Sequence, residues 1–133
     1  MTIETVSYEH RTLAIILRSS HSGEGIQFFT PPDYSQQLGY MKRPAGYQIQ
    51  PHVHLRVERK STLTQEVLFV KKGRVRVSFY DDGDCKIAER EIATGDVILL
   101  SEGGHGFEML EESELIEVKQ GPYLEDKRRF DPK

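Results

Sequence analysis

The chain has 133 residues, 37% of them apolar and 29% charged, with a net charge of −3 at pH 7; this suits one globular domain with one core and excludes a disordered or collagen-like chain. No apolar run approaches the roughly 20 residues of a membrane-spanning helix, Met1 to Glu4 lacks the basic and apolar stretch of a signal peptide, and the slight acidity gives no case for nucleic-acid binding. A lone Cys85 cannot form an internal disulfide, and without Asn there is no N-glycosylation site, so a reducing cytoplasm is the expected compartment.

Apolar residues mostly alternate or come in short β-branched runs between turn residues, which predicts strands. Leu13 to Leu17 is a short buried run, followed by turn chemistry at Ser19 to Gly25. Ile26 to Phe29 reads as a strand stopped by Pro31 and Pro32. Asp33 to Leu38 suits one helical turn with Asp33 as N-cap and Gly39 as terminator. Tyr47 to His54 is a strand candidate, with Pro51 pointing to an edge or a distortion.

Glu66 to Val70, a turn at Lys71-Lys72-Gly73, and Arg74 to Tyr80 form the clearest hairpin pattern. Val75, Val77 and Phe79 alternate with Arg74, Arg76 and Ser78, so the apolar set faces a core and the arginines face solvent. Asp81 to Asp84 is a turn. Strands are expected again at Lys86 to Ile92, Val97 to Leu100, around Phe107 and Met109, and at Leu115 to Val118. The charged tail Glu125 to Lys133 reads as a surface or fraying segment. Roughly eight to ten short strands with Gly-rich turns predict an all-β sandwich, barrel or jelly roll.

Of the five histidines, His52 and His54 lie two apart, which on a strand puts both imidazoles on one face. Glu66 opens the hairpin, and His105 follows a Gly-rich turn. Three imidazoles and one carboxylate from neighbouring strands would hold a divalent first-row metal with an open position. His10 and His21 lie in polar, turn-like surroundings and read as solvated. Gln48 and Gln50 share the His52 face, and Phe79, Phe107 and Met109 suit either ordinary packing or an apolar pocket wall. Tyr40 and Tyr47 are weaker pocket candidates, and Cys85 has no assigned role.

These residues resemble the cupin superfamily, in particular its small stand-alone members. Five residues separate Gly46 from His52-x-His54, and six separate Glu66 from Gly73, as in the first cupin motif. In the second motif Gly95 and Gly103 match, Ser101 replaces a proline, His105 arrives one residue early, and the terminal Asn is missing. Glu58, four after His54, holds the family spacing but lacks the downstream Gly; Glu66 carries the strand and Gly73 and is the preferred ligand, with Leu55 to Thr64 as an enlarged connection. The resemblance covers about residues 40–120. It implies a double-stranded β-helix, or jelly-roll barrel, in a single domain, with residues 1–39 as N-terminal strands. The implied metal is Fe, Mn, Ni, Co or Zn, held by His52, His54, Glu66 and His105.

The resemblance further implies a small metalloenzyme acting on a small molecule by dioxygenase, isomerase or lyase chemistry, with carbohydrate-related substrates as one class. The alternative is a non-catalytic small-molecule binder or sensor. A homodimer is expected, with Thr2 to Leu17 as a pairing segment; neither nucleic acid nor membrane is an expected partner. Fold alone does not choose between these functions.

Overall fold

Most segments that alternate in sequence find a hydrogen-bonded neighbour and become strands. The computed structural model describes all 133 residues as an all-β fold without a helix. The strands are β1 (Ile3–Tyr8), β2 (Arg11–Leu17), β3 (Gly25–Phe28), β4 (Gly39–Lys42) and β5 (Glu66–Lys72). They continue as β6 (Arg74–Tyr80), β7 (Lys86–Ala93), β8 (Val97–Leu100), β9 (Gly104–Met109) and β10 (Glu114–Lys119).

A five-stranded sheet runs β1-β2-β8-β5-β10 and a three-stranded sheet runs β7-β6-β9, every pair antiparallel. A hairpin of β3 and β4 forms a third sheet, and no sheet closes on itself into a barrel. The pairs β6–β7 and β5–β8 make a two-stranded ribbon folded back on itself. No helix is long and apolar enough to cross a membrane.

The two larger sheets face each other across one core. Ala14, Ile16, Leu68, Val70, Ile98 and Leu100 from the first meet Val75, Val77, Phe79 and Ile92 from the second. Each such buried side chain contributes about 1.5–3 kcal/mol relative to exposure. On the back of the five-stranded sheet, Ile15, Leu17 and Leu99 are covered by Leu38, Phe29, Tyr34 and Tyr40 around the β3–β4 hairpin. The expected solvent-facing arginines are there: Arg74 and Arg76 lie on the outer face of β6, ion-paired to Glu91 and Glu108.

One side of the sandwich is tied shut. Arg18 donates to Glu4 at 2.9 Å, to Asp96 at 3.1 Å and to the Glu91 carbonyl at 2.7 Å, and Arg90 lies 3.7 Å from Glu4. These contacts bridge β1 to β7. The opposite side, bounded by β9 and β10, has no such closure, and both strands leave one edge unpaired.

Gly73 and Gly95 have a physical reason to be glycine. Gly73 turns β5 into β6 at φ +114°, and a Cβ there would collide with the Ser113 hydroxyl and stand 2.7 Å from Ser113 Cα. Gly95 has φ +89°, and its Cβ would meet Ser19 Cβ at 2.7 Å. Side chains tolerate neither.

Three expectations need correction. Glu66 to Val70 and Arg74 to Tyr80 lie in strands but form no hairpin: β5 pairs with β8 and β10 and β6 with β7 and β9, because the chain crosses from one sheet to the other at Gly73. Tyr47 to His54 forms no strand; the chain from 43 to 65 has no regular structure, because its alternating residues have no neighbouring strand to pair with. Asp33 to Leu38 is not helical: Gln37 Nε2 donates to the carbonyls of Pro31 and Tyr34, both at 2.9 Å, and holds irregular turns instead. The C-terminal tail follows the first of its two expectations: Glu125 to Arg129 lie exposed on the surface. Arg128 binds Asp84 through two hydrogen bonds at 2.8 and 3.2 Å, and Phe130 packs edge-on against Tyr80.

Candidate functional site

The open side of the sandwich carries the chemistry. Glu66 begins β5, opposite Leu100, on the same face as the buried Leu68. His105 sits on β9 opposite Phe79, which is fully buried, so the imidazole also points between the sheets. The two meet across the gap, His105 Nε2 lying 3.5 Å from Glu66 Oε1. The Glu66 carboxyl is held below its usual range, first by the hydrogen bond to His105. Burial opposes this; the charges of His105 and Lys119 add to it.

The frame behind Glu66 is well determined. Gln65 is buried; its Oε1 accepts from Gln36 N at 3.0 Å and from Ser35 Oγ at 3.2 Å. Gln120 Oε1 accepts from Gln65 N at 3.1 Å, and its Nε2 donates to the Leu63 carbonyl at 2.9 Å. This clamp fixes the start of β5 against the end of β10. His105 is set from the other side: Gly104 leaves room for Phe130 and Tyr80, each 3.1 Å from where a Cβ would be.

His52 and His54 lie in the exposed irregular segment with their ring centroids 5.3 Å apart. His52 Nδ1 is 2.9 Å from the Gln50 carbonyl and must donate to it, which leaves Nε2 free to accept or to ligate. The four candidate ligands therefore stand as two half-sites, Glu66–His105 and His52–His54. No three His, Cys, Asp or Glu side chains lie close enough together to hold a metal ion. Glu58 is exposed in the same segment as His52 and His54.

Phe107 and Met109 share the inner face with His105, and the Phe107 ring centroid is 5.5 Å from that of the imidazole. They remain 37% and 48% exposed because nothing covers the side they occupy. Phe79 is core and lines no opening. Gln48 and Gln50 are exposed, Tyr47 stacks under Arg43 at 4.5 Å, and Tyr40 packs on the back of the five-stranded sheet. His21 is not simply solvated: it bonds Thr2 and Gln27 and meets the rings of Phe29 and Tyr40 edge-on.

Two residues escaped the sequence reading. Glu117 and Lys119 of β10 lie opposite Leu68 and Glu66 and so share their inner face, with Lys119 Nζ 3.6 Å from Glu117 Oε1. The alternation of β10 was legible, but which half of it faces inward was not.

Ser101, where the resemblance would place a proline, is held by two hydrogen bonds. Its backbone N–H donates to the Leu13 carbonyl at 2.9 Å and its hydroxyl to the Thr12 carbonyl at 2.6 Å, both in a buried position. A proline has neither donor. Comparison with family models, with curated proteins and with solved structures returns no match to this chain.

Proposed function

We propose that this chain is a cupin-like metal-binding protein, a small metalloenzyme whose jelly-roll barrel is completed by the segment around Tyr47 to Val57. The observation that carries the reading is the meeting of Glu66 and His105 across the open side of the sandwich. A nitrogen and a carboxylate oxygen on facing strands are half of an N₃O donor set, and the His52–His54 pair supplies the other half.

The topology supports the completion. The folded ribbon pairs β6 with β7 and β5 with β8. Continued one step, it pairs the segment before β5 with β9, and a further step pairs the stretch before that with β10. Those are the two free edges on the open side. The segment has the alternation of a strand: Tyr47, Ile49, Val53, Leu55 and Val57 alternate with Gln48, Gln50, His52, His54 and Arg56. Pro51 deletes one ladder donor, which an edge strand tolerates. With the polar row inward, His52 and His54 join Glu66 and His105.

A divalent Fe, Mn, Ni, Co or Zn in this set supplies a Lewis acid or redox centre with an open position for a small molecule. The chain's own part is to orient the ligands through the Gln65–Gln120 clamp and to limit water with Phe107 and Met109.

The test is elemental analysis of protein purified without added metal. About one equivalent per chain is expected, absent from His52→Ala and from His105→Ala. Glu66→Gln should lose metal and Glu58→Gln should keep it. A wild-type chain that takes up none of the five metals when each is offered would sink the reading.

A further inference from the structure

At one end of the sandwich the usual polarity of β10 is inverted. A strand in a two-layer fold puts apolar residues inward and polar residues out. Here Ile116 and Val118 point outward, opposite Phe69 and Val67, and are half-exposed. Glu117 and Lys119 point inward, beside Glu66 and His105. A solvated outer face cannot explain charges there. The two form a loose ion pair at 3.6 Å, too long for a hydrogen bond, and the three Lys119 donors are bound to nothing else in the chain. Both side chains are partly exposed, at 42% and 34%, so a solute can reach them.

We infer that Glu117 and Lys119 are the ligand-recognition half of this site, and that the ligand is a small hydroxy acid. Lys119 takes a carboxylate oxygen, displacing the long contact to Glu117. Glu117, an acceptor when ionised, receives a hydroxyl of the same molecule. The inference rests on the reading of Glu66 and His105 as the floor of the site. It adds what the metal reading leaves open: the ligand carries a negative charge and a hydroxyl a few bonds apart, which a neutral sugar or a plain carboxylate does not.

The test is calorimetric titration of the full chain, with and without cobalt, using D-gluconate, sorbitol and acetate as probes. Wild type should bind gluconate at least about tenfold more tightly than sorbitol or acetate, the size of one charge-assisted hydrogen bond. Lys119→Met should bind gluconate and sorbitol alike with cobalt stoichiometry unchanged. Lys119→Arg should keep the preference, which a merely structural lysine would not require. Glu117→Gln should weaken gluconate and leave acetate unaffected. If Lys119→Met does not fold, Lys119→Gln is read in its place. No gluconate preference in wild type, or a preference that survives neutralising Lys119, overturns the inference. Wild type that binds none of the five metals yet keeps a Lys119-dependent preference defeats the metal reading alone.

Discussion

Ser101→Pro places here the residue that the cupin motif has at the corresponding position, and it should destabilise the chain. The substitution removes the donor to the Leu13 carbonyl at 2.9 Å and the hydroxyl donor to the Thr12 carbonyl at 2.6 Å. The site is 1% exposed, so water does not replace either. Each buried carbonyl left unpaired costs about 1–3 kcal/mol, giving roughly 3–4 kcal/mol together. The residue before a proline prefers an extended backbone, and Leu100 already ends a strand, so that neighbour adds no penalty. Ser101→Ala loses only the hydroxyl and should cost about half as much. Urea unfolding followed by circular dichroism measures both. If Ser101→Pro is no worse than Ser101→Ala, the Ser101–Leu13 bond does not explain the missing proline.

Three further expectations concern the frame. Glu4 is held below the usual carboxylate range chiefly by the hydrogen bond from Arg18, against burial and with help from Arg18 and Arg90 charge. A depressed carboxyl stabilises above its unfolded pKa and loses that contribution as pH falls through the folded value. Stability should therefore drop below about pH 4.5, the normal carboxyl value, and Glu4→Gln should flatten that part of the pH profile in thermal melts. Gly73→Ala should cost about 3 kcal/mol in the same melts, since φ +114° and the closeness of Ser113 both oppose a Cβ. Arg128→Ala should leave the melting temperature nearly unchanged, because the Arg128 side chain is largely exposed and solvent screens its ion pair. It should nevertheless speed tryptic cutting at Lys127 and Arg129; unchanged cutting would mean that Asp84 does not anchor the tail.

Strands were legible where alternation met a partner. Strand β6 follows directly from Val75, Val77 and Phe79 alternating with Arg74 and Arg76, but its pairing does not: across Gly73 the chain passes from one sheet to the other, so β5 and β6 form no hairpin. The run at Leu13 to Leu17 is buried on both faces, so it reads as apolar throughout. The segment from Tyr47 alternates just as cleanly yet is no strand, because a ladder needs a neighbour that no local pattern can supply. The Glu66–His105 meeting is a contact between two sheets, and sequence spacing could suggest it only through the family resemblance. Glu117 and Lys119 were hidden by parity: the alternation of Glu114 to Lys119 is plain, but the face turned inward is set by β5.

Parity also decides what a pairing of this segment with β9 would bury. A one-residue slip reverses which row of a strand faces inward. With its apolar row inward, Val53 and Leu55, now 83% and 81% exposed, would join Phe107 and Met109. With its polar row inward, His52 and His54 would reach Glu66 and His105 and leave the apolar row outside. Hydrophobic burial favours the first; bonding of the two imidazoles to a metal would favour the second. Adding cobalt should therefore slow amide exchange across Tyr47 to Val57. It should also leave the thiol of Val53→Cys, made in a Cys85→Ser background, open to a maleimide, because that side chain then faces out. Slowed exchange with a blocked thiol would mean that the apolar row went in and the histidines are not ligands. Exchange that cobalt does not change, in a chain that binds it, would show that the segment never joins β9.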